Sequence, residues 1–483
     1  MSLPRHALPE GEVLAGLPPV REIAPSEVAA RLESAPRLAV LDDDPTGTQT
    51  VKDIPVLTTW SVEDLRWALR QNSPAFFVLT NTRSLSAQDA ATRNREVARA
   101  LHEASRAEGI PHVIASRGDS TLRGHFPLET DVLAEELTAT GAAPDGVVLV
   151  PAYIEAGRLT VDSTHWMRTP DGKLLPVGES EFAKDATFGY TSSALPDWVE
   201  EKTRGRVRAD TVLRVTLADL RTGGPAHVAD RLRTLRDGAT AVVDAVCDDD
   251  LRVLALALAE AEKSGTRLLY RVGPSFVRAR AGQAAHPPLT AAELGPLRAP
   301  SPHGLIVVGS HVSLTTRQLD RLRESTADLA EYELDVARLL DPADRDTHLR
   351  EIATAATAAM ATADTVIRTT RTVVTAADPD ESLAISRSVS AALVETVRLI
   401  TAARRPAFVV AKGGITSSDT ATHGLEIRRA WARGTLLPGI VSLWQPVDGP
   451  AAGIPYIVFA GNVGGDDALV DALALLRSAA RRR

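Results

Sequence analysis

Three aspartates directly follow an apolar run near the N-terminus. The stretch RLAVLDDDPTGTQT, residues 37–50, ends its apolar run at Leu41 and continues with Asp42, Asp43 and Asp44. In open α/β sheets, ligands bind beyond the carboxyl ends of the strands. Carboxylates at such a position accept hydrogen bonds from hydroxyl groups and can orient or deprotonate one of them. These aspartates are therefore candidates for a ligand site.

Two further polar segments follow apolar runs in the same half of the chain. Asn81, Thr82 and Arg83 come after AFFVLT, and SRGDSTLRGH, residues 116–125, comes after HVIA. Taken singly, each segment is equally well explained as a solvated turn or a helix cap. Together they predict one crevice, in which arginines grip a carboxylate bidentately and aspartates accept hydroxyl hydrogen bonds. Such a crevice suits a polyhydroxy carboxylate, and its charged residues are Asp43, Asp44, Arg83, Arg117, Asp119 and Arg123.

The second half contains three glycine-rich corners between apolar runs and helical patterns. They are VVGSHVSLTTRQ at 307–318, AFVVAKGGITSSDTA at 407–421 and VFAGNVGGDDALVD at 458–471. Glycine lets the backbone approach a ligand, and amides at a helix start bind anions. One such corner is more simply a tight turn, but three in one domain predict a polyphosphate site. The Walker A sequence is absent, which excludes a P-loop enzyme.

Short β-branched runs alternate with longer helical patterns along the chain, which is typical of an α/β fold. A length of 483 residues favours two domains. We therefore predict two α/β domains with largely parallel sheets facing a central cleft. The stretch 283–303 contains five prolines and is predicted as the linker between domains 1–282 and 304–483. Residues 155–205 lack clear periodicity and are predicted to form an insertion or an extended loop region.

The individual elements are predicted from the same alternation. In the second corner, the helix after Gly413 and Gly414 is expected to begin near residues 416–418. The clearest helical patterns cover residues 86–108, 249–264, 343–361 and 381–404. The apolar runs expected to form strands are LAVLDD, AFFVLTN, HVIASR, GVVLVPA, TAVVDAV, RLLYRVG, GLIVVGS, TVIRTT, AFVVAKGG and IPYIVFAGN.

Composition limits the partners and the compartment. The net charge of −8 argues against a general binder of nucleic acid or anionic membranes. No apolar stretch reaches the roughly 20 residues needed to span a bilayer, and the N-terminus lacks a secretory h-region. Cys247 is the only cysteine, so no intrachain disulfide can form and a reducing cytoplasm is expected. Small molecules are thus the expected partners, and the sequence leaves open whether the chain forms a homo-oligomer.

Seven motifs, in chain order, resemble the four-carbon acid sugar kinase family, formerly a domain of unknown function. They are DDDPTGTQT, TNTRS, RGDSTLRGH, PAYIEAGRLT, GSHVSLTTRQ, KGGITSSDTA and GNVGG. The resemblance implies an N-terminal sugar-acid-binding domain and a C-terminal nucleotide-binding domain. It further implies that ATP, with Mg²⁺ bridging its phosphate oxygens, phosphorylates the terminal hydroxyl of a threonate-, erythronate- or 3-oxo-tetronate-like acid.

The resemblance also implies roles for single residues. Asp43 and Asp44 would be the catalytic pair, while the identity of the base stays open and capping of the turn is the alternative role for one of the three aspartates. No metal ligands can be assigned. The substrate-binding residues would be Asp43, Asp44, Arg83, Asp119, Ser120, Thr121 and Leu122, to which the charge pattern adds Arg117 and Arg123. The nucleotide-binding residues would be Ser310, Gly413, Gly414, Ile415, Thr416, Gly461, Asn462, Val463 and Gly464.

The chain departs from the family pattern at two places. The first motif has a third aspartate and a TQT continuation, and Arg117 stands where a lysine is frequent before DSTLRG. These departures indicate a distinct subgroup. Its substrate need not be an established tetronate.

Two other classes of protein remain as alternatives. Asp42, Asp44 and Thr46 form D-x-D-x-T after an apolar run, which resembles the first motif of haloacid-dehalogenase-like phosphatases. In that family the first aspartate is a covalent nucleophile and the second a general acid. This interpretation leaves DSTLRGH, KGGITSSDT and the second domain without a role. A non-catalytic sugar-acid or nucleotide sensor is the other alternative, whereas nothing resembles a basic DNA-reading helix.

Overall fold

The computed structural model describes residues 6–295, 297, 299–371, 379–438 and 440–481, without the side chains of 379–384 and 386. Pro296 and Arg298 of the predicted linker lie outside the described residues. So do residues 1–5 of the first predicted domain and residues 372–378, 439, 482 and 483 of the second.

The strands, numbered in chain order, are short. They are β1 (Leu8–Pro9), β2 (Arg37–Asp42), β3 (Ile54–Leu57), β4 (Ala75–Leu79), β5 (His112–Arg117), β6 (Gly146–Val150), β7 (Arg158–Val161), β8 (Thr164–Arg168), β9 (Lys173–Pro176), β10 (Leu213–Val215), β11 (Ala239–Val243), β12 (Leu268–Val272), β13 (Leu305–Val308), β14 (Leu329–Leu334), β15 (Asp364–Thr369), β16 (Val409–Lys412), β17 (Arg429–Leu437), β18 (Ile440–Pro446) and β19 (Tyr456–Phe459).

The α-helices, also numbered in chain order, vary widely in length. They are α1 (Glu10–Val13), α2 (Pro25–Arg31), α3 (Val62–Arg70), α4 (Ala87–Glu108), α5 (Leu128–Ala139), α6 (Leu195–Lys202), α7 (Gly224–Leu232), α8 (Asp248–Lys263), α9 (Pro274–Arg280), α10 (Ala291–Leu294), α11 (Ser313–Ser325), α12 (Val336–Leu340), α13 (Arg345–Ala359), α14 (Pro379–Ala403), α15 (Gly414–Asp419) and α16 (Ala468–Ala480). Among these helices, none combines the length and apolar character needed to cross a bilayer.

The described chain divides into two compact units. The first holds the residues up to Val51 together with Trp60–Ala285, and the second holds Lys52–Thr59 together with the residues from His286 onward. Strand β3 thus belongs to the second unit although it lies early in the chain. Leu289, within the predicted linker, is buried in the hydrophobic core of the second unit.

The main sheet of the first unit is parallel throughout, in the order β10-β11-β6-β12-β5-β2-β4. Its central strands are apolar on both faces, as expected for a parallel sheet covered by helices. Helix α4, between β4 and β5, begins at an N-cap, where the Ser86 hydroxyl accepts a 3.1 Å hydrogen bond from the Asp89 amide. It ends at Gly109, which adopts a φ of 66°. The predicted α/β class with a mainly parallel sheet is confirmed.

Residues 155–205 are more regular than the sequence predicts. They contain β7, β8 and β9, which together with β1 form an antiparallel sheet in the order β1-β9-β8-β7, and also helix α6. The prediction of an extended loop region is therefore wrong. The tight turn between β7 and β8 places Asp162 and Ser163 at φ values of 48° and 61°. Because neither residue is a glycine or an asparagine, the usual sequence signal of a two-residue hairpin is absent.

The second unit combines parallel and antiparallel strands in the order β3-β17-β18-β19-β16-β13-β15-β14. The five strands from β19 to β14 are parallel, whereas β3, β17 and β18 pair antiparallel. The start of α15 at Gly414 corrects the expected helix start near residues 416–418. The reason is that Gly413, with a φ of 128°, lets the chain turn directly from β16 into the helix.

An aromatic cluster in the first unit supports the segment around Leu122. Trp198 is 1 % exposed, its ring stacks on Phe126 at 4.6 Å between centroids, and Tyr190 meets it edge-on at 6.4 Å. Leu122, which has a φ of 65°, is buried in the same cluster. A leucine at positive φ is uncommon, so the packing of its side chain must offset the backbone strain.

We expect Trp198→Ala to lower the free energy of unfolding of the first unit by about 3–5 kcal/mol, the usual cost of truncating a buried aromatic residue. Trp198→Phe should cost much less, because it keeps a ring against Phe126 and the indole N–H has no hydrogen-bond partner among the described residues. Urea denaturation of both variants measures the difference. Equal small losses would show that the cluster does not support the fold.

Candidate functional site

Three neighbouring parallel strands of the first unit bring the N-terminal polar segments to one edge of the sheet. On β2, Asp42 stands level with Arg117 on β5 and with Leu79 on β4. The Asp43 amide donates to the Arg117 carbonyl, and the Arg83 amide donates to the Asp43 carbonyl. Backbone hydrogen bonds therefore hold the three strand ends together before any side chain contributes.

Asp43 is the centre of a buried ion-pair network. Arg83 donates to both of its carboxylate oxygens, with Nη2 at 2.5 Å from Oδ1 and Nε at 3.1 Å from Oδ2. Arg117 Nη1 lies 3.3 Å from Asp43 Oδ1 and 3.1 Å from Asp42 Oδ1. Asp43 and Arg117 are both buried. Asp43, Arg83 and Arg117 therefore form one ion-pair network. The planar guanidinium of Arg83 binds the carboxylate of Asp43, a group of the protein itself.

Asp44 caps the short 3₁₀ helix Pro45–Thr50. Its Oδ1 accepts hydrogen bonds from the Thr46 amide at 2.9 Å and from the Thr46 hydroxyl at 2.5 Å. Burial disfavours the charged carboxylate, but Arg83, Arg117 and these hydrogen bonds outweigh burial and lower its pKa. The side chain of Asp44 is 22 % exposed and that of Asp43 only 2 %. Asp44 is thus the more accessible carboxylate of the pair, and its Oδ2 lies 3.6 Å from Arg83 Nη1.

Asp42 differs from Asp44 in protonation. It is 1 % exposed, and the backbone of Gly47 lies so close that a Cβ there would overlap its carboxylate. Burial raises the pKa of Asp42 to about 7, although Arg117 acts in the opposite direction. Its Oδ1 lies 3.1 Å from Arg117 Nη1 but accepts no well-aligned hydrogen bond from any described residue. Asp42 therefore carries a proton for part of the time at neutral pH, whereas Asp44 is ionised.

The segment after β5 forms a second group of polar contacts. The carboxylate of Asp119 accepts hydrogen bonds from Thr121 Oγ1 and, at 2.7 Å, from Arg123 Nε. Burial raises the pKa of Asp119, but Arg83 and Arg123 outweigh burial and hold this pKa far below its usual range. Ser120 contributes its carbonyl, which lies 2.8 Å from His165 Nε2. A small pocket of about 10 Å³ borders Asp119 and Arg123.

Leu122 is placed differently from the other predicted substrate residues. Its side chain packs in the aromatic cluster, so only its backbone is available to a ligand. The segment nevertheless reaches the aspartates, because a Cβ at Gly124 would lie 3.1 Å from Asp43 Oδ2. The structure thus brings the Asp43–Arg83 network and the residues 119–124 next to each other.

Sequence reasoning missed two buried charges beneath this segment. Arg271 on β12 donates from Nη1 to Ser116 Oγ at 2.7 Å and pairs with Glu129 at 2.5 Å. Glu129 also accepts a hydrogen bond from Thr82 Oγ1 at 2.5 Å. A Cβ at Gly118 would overlap the Arg271 guanidinium. The available signal was an arginine inside the otherwise apolar run RLLYRVG.

In the second unit, the three glycine corners lie at adjacent strand ends. Lys412, the last residue of β16, stands level with Val308 on β13 and with Phe459 on β19. The Ser310 amide donates to the Lys412 carbonyl at 3.3 Å, and the Gly413 amide donates to the Phe459 carbonyl at 2.8 Å. The parallel register therefore gathers all three corners.

The corners contact each other so closely that glycine is required at several positions. A Cβ at Gly309 would overlap Thr416 Oγ1, and a Cβ at Gly461 would overlap Ser310 Oγ. Thr315 Oγ1 donates to the Gly461 carbonyl at 2.9 Å. In this way the structure gathers the nucleotide-binding residues predicted from sequence, which are Ser310, Gly413, Gly414, Ile415, Thr416, Gly461, Asn462, Val463 and Gly464.

Lys412 is a further residue that sequence reasoning missed. Its side chain is fully buried, Nζ donates to the Ala460 carbonyl at 2.7 Å, and the ammonium lies 3.7 Å from the centre of the Phe459 ring. Burial lowers the pKa of Lys412 to about 7. A lysine at the end of the apolar run AFVVAK is the corresponding signal in the sequence.

The sequence does not identify metal ligands, and the described part of the chain shows no preformed metal site. Within the described ranges, no group of three or more His, Cys, Asp or Glu side chains is arranged to hold a metal ion.

Comparison with protein families identifies the class of protein. Residues 38–280 match a model described as a sugar-binding N-terminal domain, and residues 305–469 match a model described as a nucleotide-binding C-terminal domain. The chain thus combines a sugar-binding with a nucleotide-binding domain. It belongs to the four-carbon acid sugar kinase family, as the motifs predict.

Individual relatives agree with this assignment. The chain is 30 % identical over 266 residues to a D-threonate kinase of Cupriavidus necator, a match that covers 51 % of this chain and 52 % of the relative. It thus matches about half the length of that kinase. A Salmonella typhimurium LT2 protein, provisionally named a tRNA synthase, has a TM-score of 0.66 at 19 % identity, covering 90 % of this chain and 98 % of that one. A Haemophilus influenzae protein of the DUF1537 family has a TM-score of 0.60 at 19 % identity, covering 91 % and 100 %. At these identities, the two structures show a shared fold.

We expect Asp42→Asn to flatten the pH dependence of stability. The folded Asp42 keeps its proton up to about pH 7, whereas an unfolded aspartate releases it near pH 4. Between these values the native carboxyl of Asp42 binds more proton than the unfolded one, so Asp42 contributes a loss of stability of about 1.4 kcal/mol per pH unit as pH rises, and this contribution should be absent from Asp42→Asn. Urea denaturation from pH 4.5 to 7.5 measures this, with Asp131→Asn on the surface as control. Parallel profiles for wild type and Asp42→Asn would contradict the prediction.

Proposed function

We propose that this protein is an ATP-dependent kinase that phosphorylates the terminal hydroxyl of a four-carbon, tetronate-like sugar acid. The observation that carries the proposal is the presence, in one chain, of the Asp43–Arg83–Arg117 network and of three glycine corners gathered at adjacent strand ends. The family assignment and the D-threonate kinase relative support the same reaction class. D-threonate is therefore the first acid to test.

We propose that Asp44 accepts the proton of the attacking hydroxyl group. Its side chain is partly exposed and ionised, and Oδ1 accepts from Thr46, so Oδ2, 3.6 Å from Arg83 Nη1, is the oxygen proposed for this role. Asp43 is buried and held by Arg83, so we assign it to substrate binding and to positioning of Asp44. Phosphoryl transfer depends mainly on orientation and charge neutralisation, which an anchored carboxylate beside arginines can provide.

The glycine corners are proposed to receive the nucleotide. The lack of side chains at Gly309, Gly413 and Gly461 lets the corners pack together, and the corner amides other than those of Ser310 and Gly413, which are used within the sheet, are proposed to approach phosphate oxygens. Ile415, whose side chain is 57 % exposed, offers an apolar surface to the nucleoside. Mg²⁺ is expected to arrive with ATP, held mostly by phosphate oxygens and water, which fits the lack of a metal cage among the described side chains.

The burial of Asp42 disfavours the phosphatase alternative. A haloacid-dehalogenase-type enzyme would need Asp42 as an accessible, ionised nucleophile. Here it is 1 % exposed, lies against Gly47 and has a pKa of about 7. The phosphatase mechanism also gives the three glycine corners no role.

The direct test is ATP consumption, with Mg²⁺, against a panel of four- and five-carbon sugar acids. We expect one or more tetronates to stimulate ATP turnover and a phosphorylated acid to appear by mass spectrometry. Release of phosphate from a phosphorylated acid without nucleotide, or an aspartyl-phosphate on Asp42, would support the phosphatase instead. No turnover with any acid would refute the assigned substrate class.

Asp44→Asn should lower kcat with the best acid by about 100-fold or more, the usual contribution of a positioned acid–base group. Asparagine is as good an N-cap as aspartate, so the turn at Thr46 should remain intact. Asp131→Asn, at an exposed aspartate paired with Arg206, is the matched control and should leave kcat unchanged. Steady-state kinetics decide the matter, and an unaffected kcat in Asp44→Asn would remove Asp44 from the mechanism.

Gly461→Ala should weaken ATP binding by about tenfold or more, because its Cβ would displace Ser310 and such overpacking typically costs about 1–3 kcal/mol. Gly465→Ala in the same loop is the matched control, since no atom lies within 4 Å of its Cβ position. Isothermal titration with ATP measures both. Equal affinities in the two variants would argue against the corner as the phosphate site.

A further inference from the structure

The residues of the corners that are assigned to the nucleotide include no basic side chain. They are Ser310, Gly413–Thr416 and Gly461–Gly464, whereas a triphosphate carries a charge of about −4 at neutral pH. Backbone amides contribute partial charges only, so a full cation close to the phosphate tail would add a much stronger interaction. Such a cation must come from the basic side chains that surround the corners.

Three of these basic side chains already have partners. Arg317 and Arg321 on α11 are exposed and form ion pairs with Asp466 and Asp467, with Nε–Oδ1 distances of 2.9 and 2.8 Å. Lys412 is fully buried, and its ammonium is directed to the Ala460 carbonyl. None of the three offers a free charge to a ligand.

Arg371 is in a different situation. It follows β15, the neighbour of β13 on the side away from β16, and therefore lies at the same edge of the sheet as the corners. Its Nη1 donates to the Ser310 carbonyl at 2.5 Å, and its Nη2 donates to Thr316 Oγ1 at 2.7 Å. The guanidinium is thus fixed directly against the first corner.

No carboxylate pairs with Arg371 in the part of the chain that the structure describes, and its Nε has no hydrogen-bond partner there. Burial lowers the pKa of Arg371 and the nearby cations Arg368 and Arg323 lower it further, whereas Asp320 acts in the opposite direction without outweighing them. Both of those arginines are themselves paired with Glu331. Arg371 is therefore a half-buried cation whose charge is not neutralised by these neighbours, a state that an anionic ligand would relieve.

We propose that Arg371 binds the phosphate tail of the nucleotide, together with the backbone of the Ser310 corner. The identity of the ligand as a nucleotide rests on the proposed function. Two of the five guanidinium N–H groups are used by Ser310 and Thr316 and the Nε–H is buried, which leaves one N–H on each of Nη1 and Nη2 for phosphate oxygens. Arginine suits this position because its planar fork remains rigid while it donates in two directions.

The test compares Arg371→Gln with Arg321→Gln, a matched control that removes an arginine from the neighbouring surface. Isothermal titration measures the affinities of the full-length protein for ATP, ADP and adenosine. We expect Arg371→Gln to weaken ATP and ADP binding by about 10- to 100-fold and to leave adenosine binding within twofold of wild type. Arg371→Lys should recover only part of the loss, since lysine keeps the charge without the fork. Arg321→Gln should match the wild type.

The outcomes separate this inference from the proposed function. Tripolyphosphate, titrated in the same way, probes the anion site without a nucleoside. If wild type phosphorylates a sugar acid and Arg371→Gln binds ATP normally, the inference is wrong and the kinase assignment stands. If the wild type does not bind ATP but binds tripolyphosphate, and Arg371→Gln loses the tripolyphosphate binding, the kinase assignment fails and the anion site stands. Equal losses for adenosine and ATP would show that Arg371 only supports the fold and would overturn the inference.

Discussion

The burial of consecutive carboxylates at the end of β2 is the constraint on which the first site depends. Removing a carboxylate from water is costly unless a cation or a proton compensates for its charge. Arg117, level with Asp42 on the next strand, and Arg83, from the segment after β4, supply the cations. Asp42, buried deepest, instead keeps a proton up to about pH 7. The orientation of Asp43 thus follows from this charge balance.

The second unit depends on close packing rather than on buried charge. Three parallel strand ends stand level, and their corners meet at Gly309, Gly461 and Ser310 with no room for further side chains. The ammonium of Lys412 lies beneath them and holds the Ala460 carbonyl. The backbone there is tightly fixed, which is one of the properties that favour the binding of phosphate groups through amides.

The two sites therefore suit ligands of different charge. The first offers carboxylates and arginines in nearly equal number, which matches a small acid with several hydroxyl groups. The second offers backbone amides, an apolar surface at Ile415 and the guanidinium of Arg371, which matches a nucleoside with a polyanionic tail. With a net charge of −8, the protein must provide cations locally at both places.

The sequence alone determined the α/β class and the apolar runs that end in chemistry-bearing residues, because strand runs and turn glycines are local signals. It also showed the family motifs. The sequence did not predict the hairpin turn at Asp162 and Ser163, since neither residue is a glycine or an asparagine. Only the tertiary structure decided that Asp44 caps a turn, that Arg83 grips Asp43, and that Arg371 lies against Ser310. These contacts depend on the register of the strands and on the burial of the side chains. Neither property can be read from the spacing of residues along the chain.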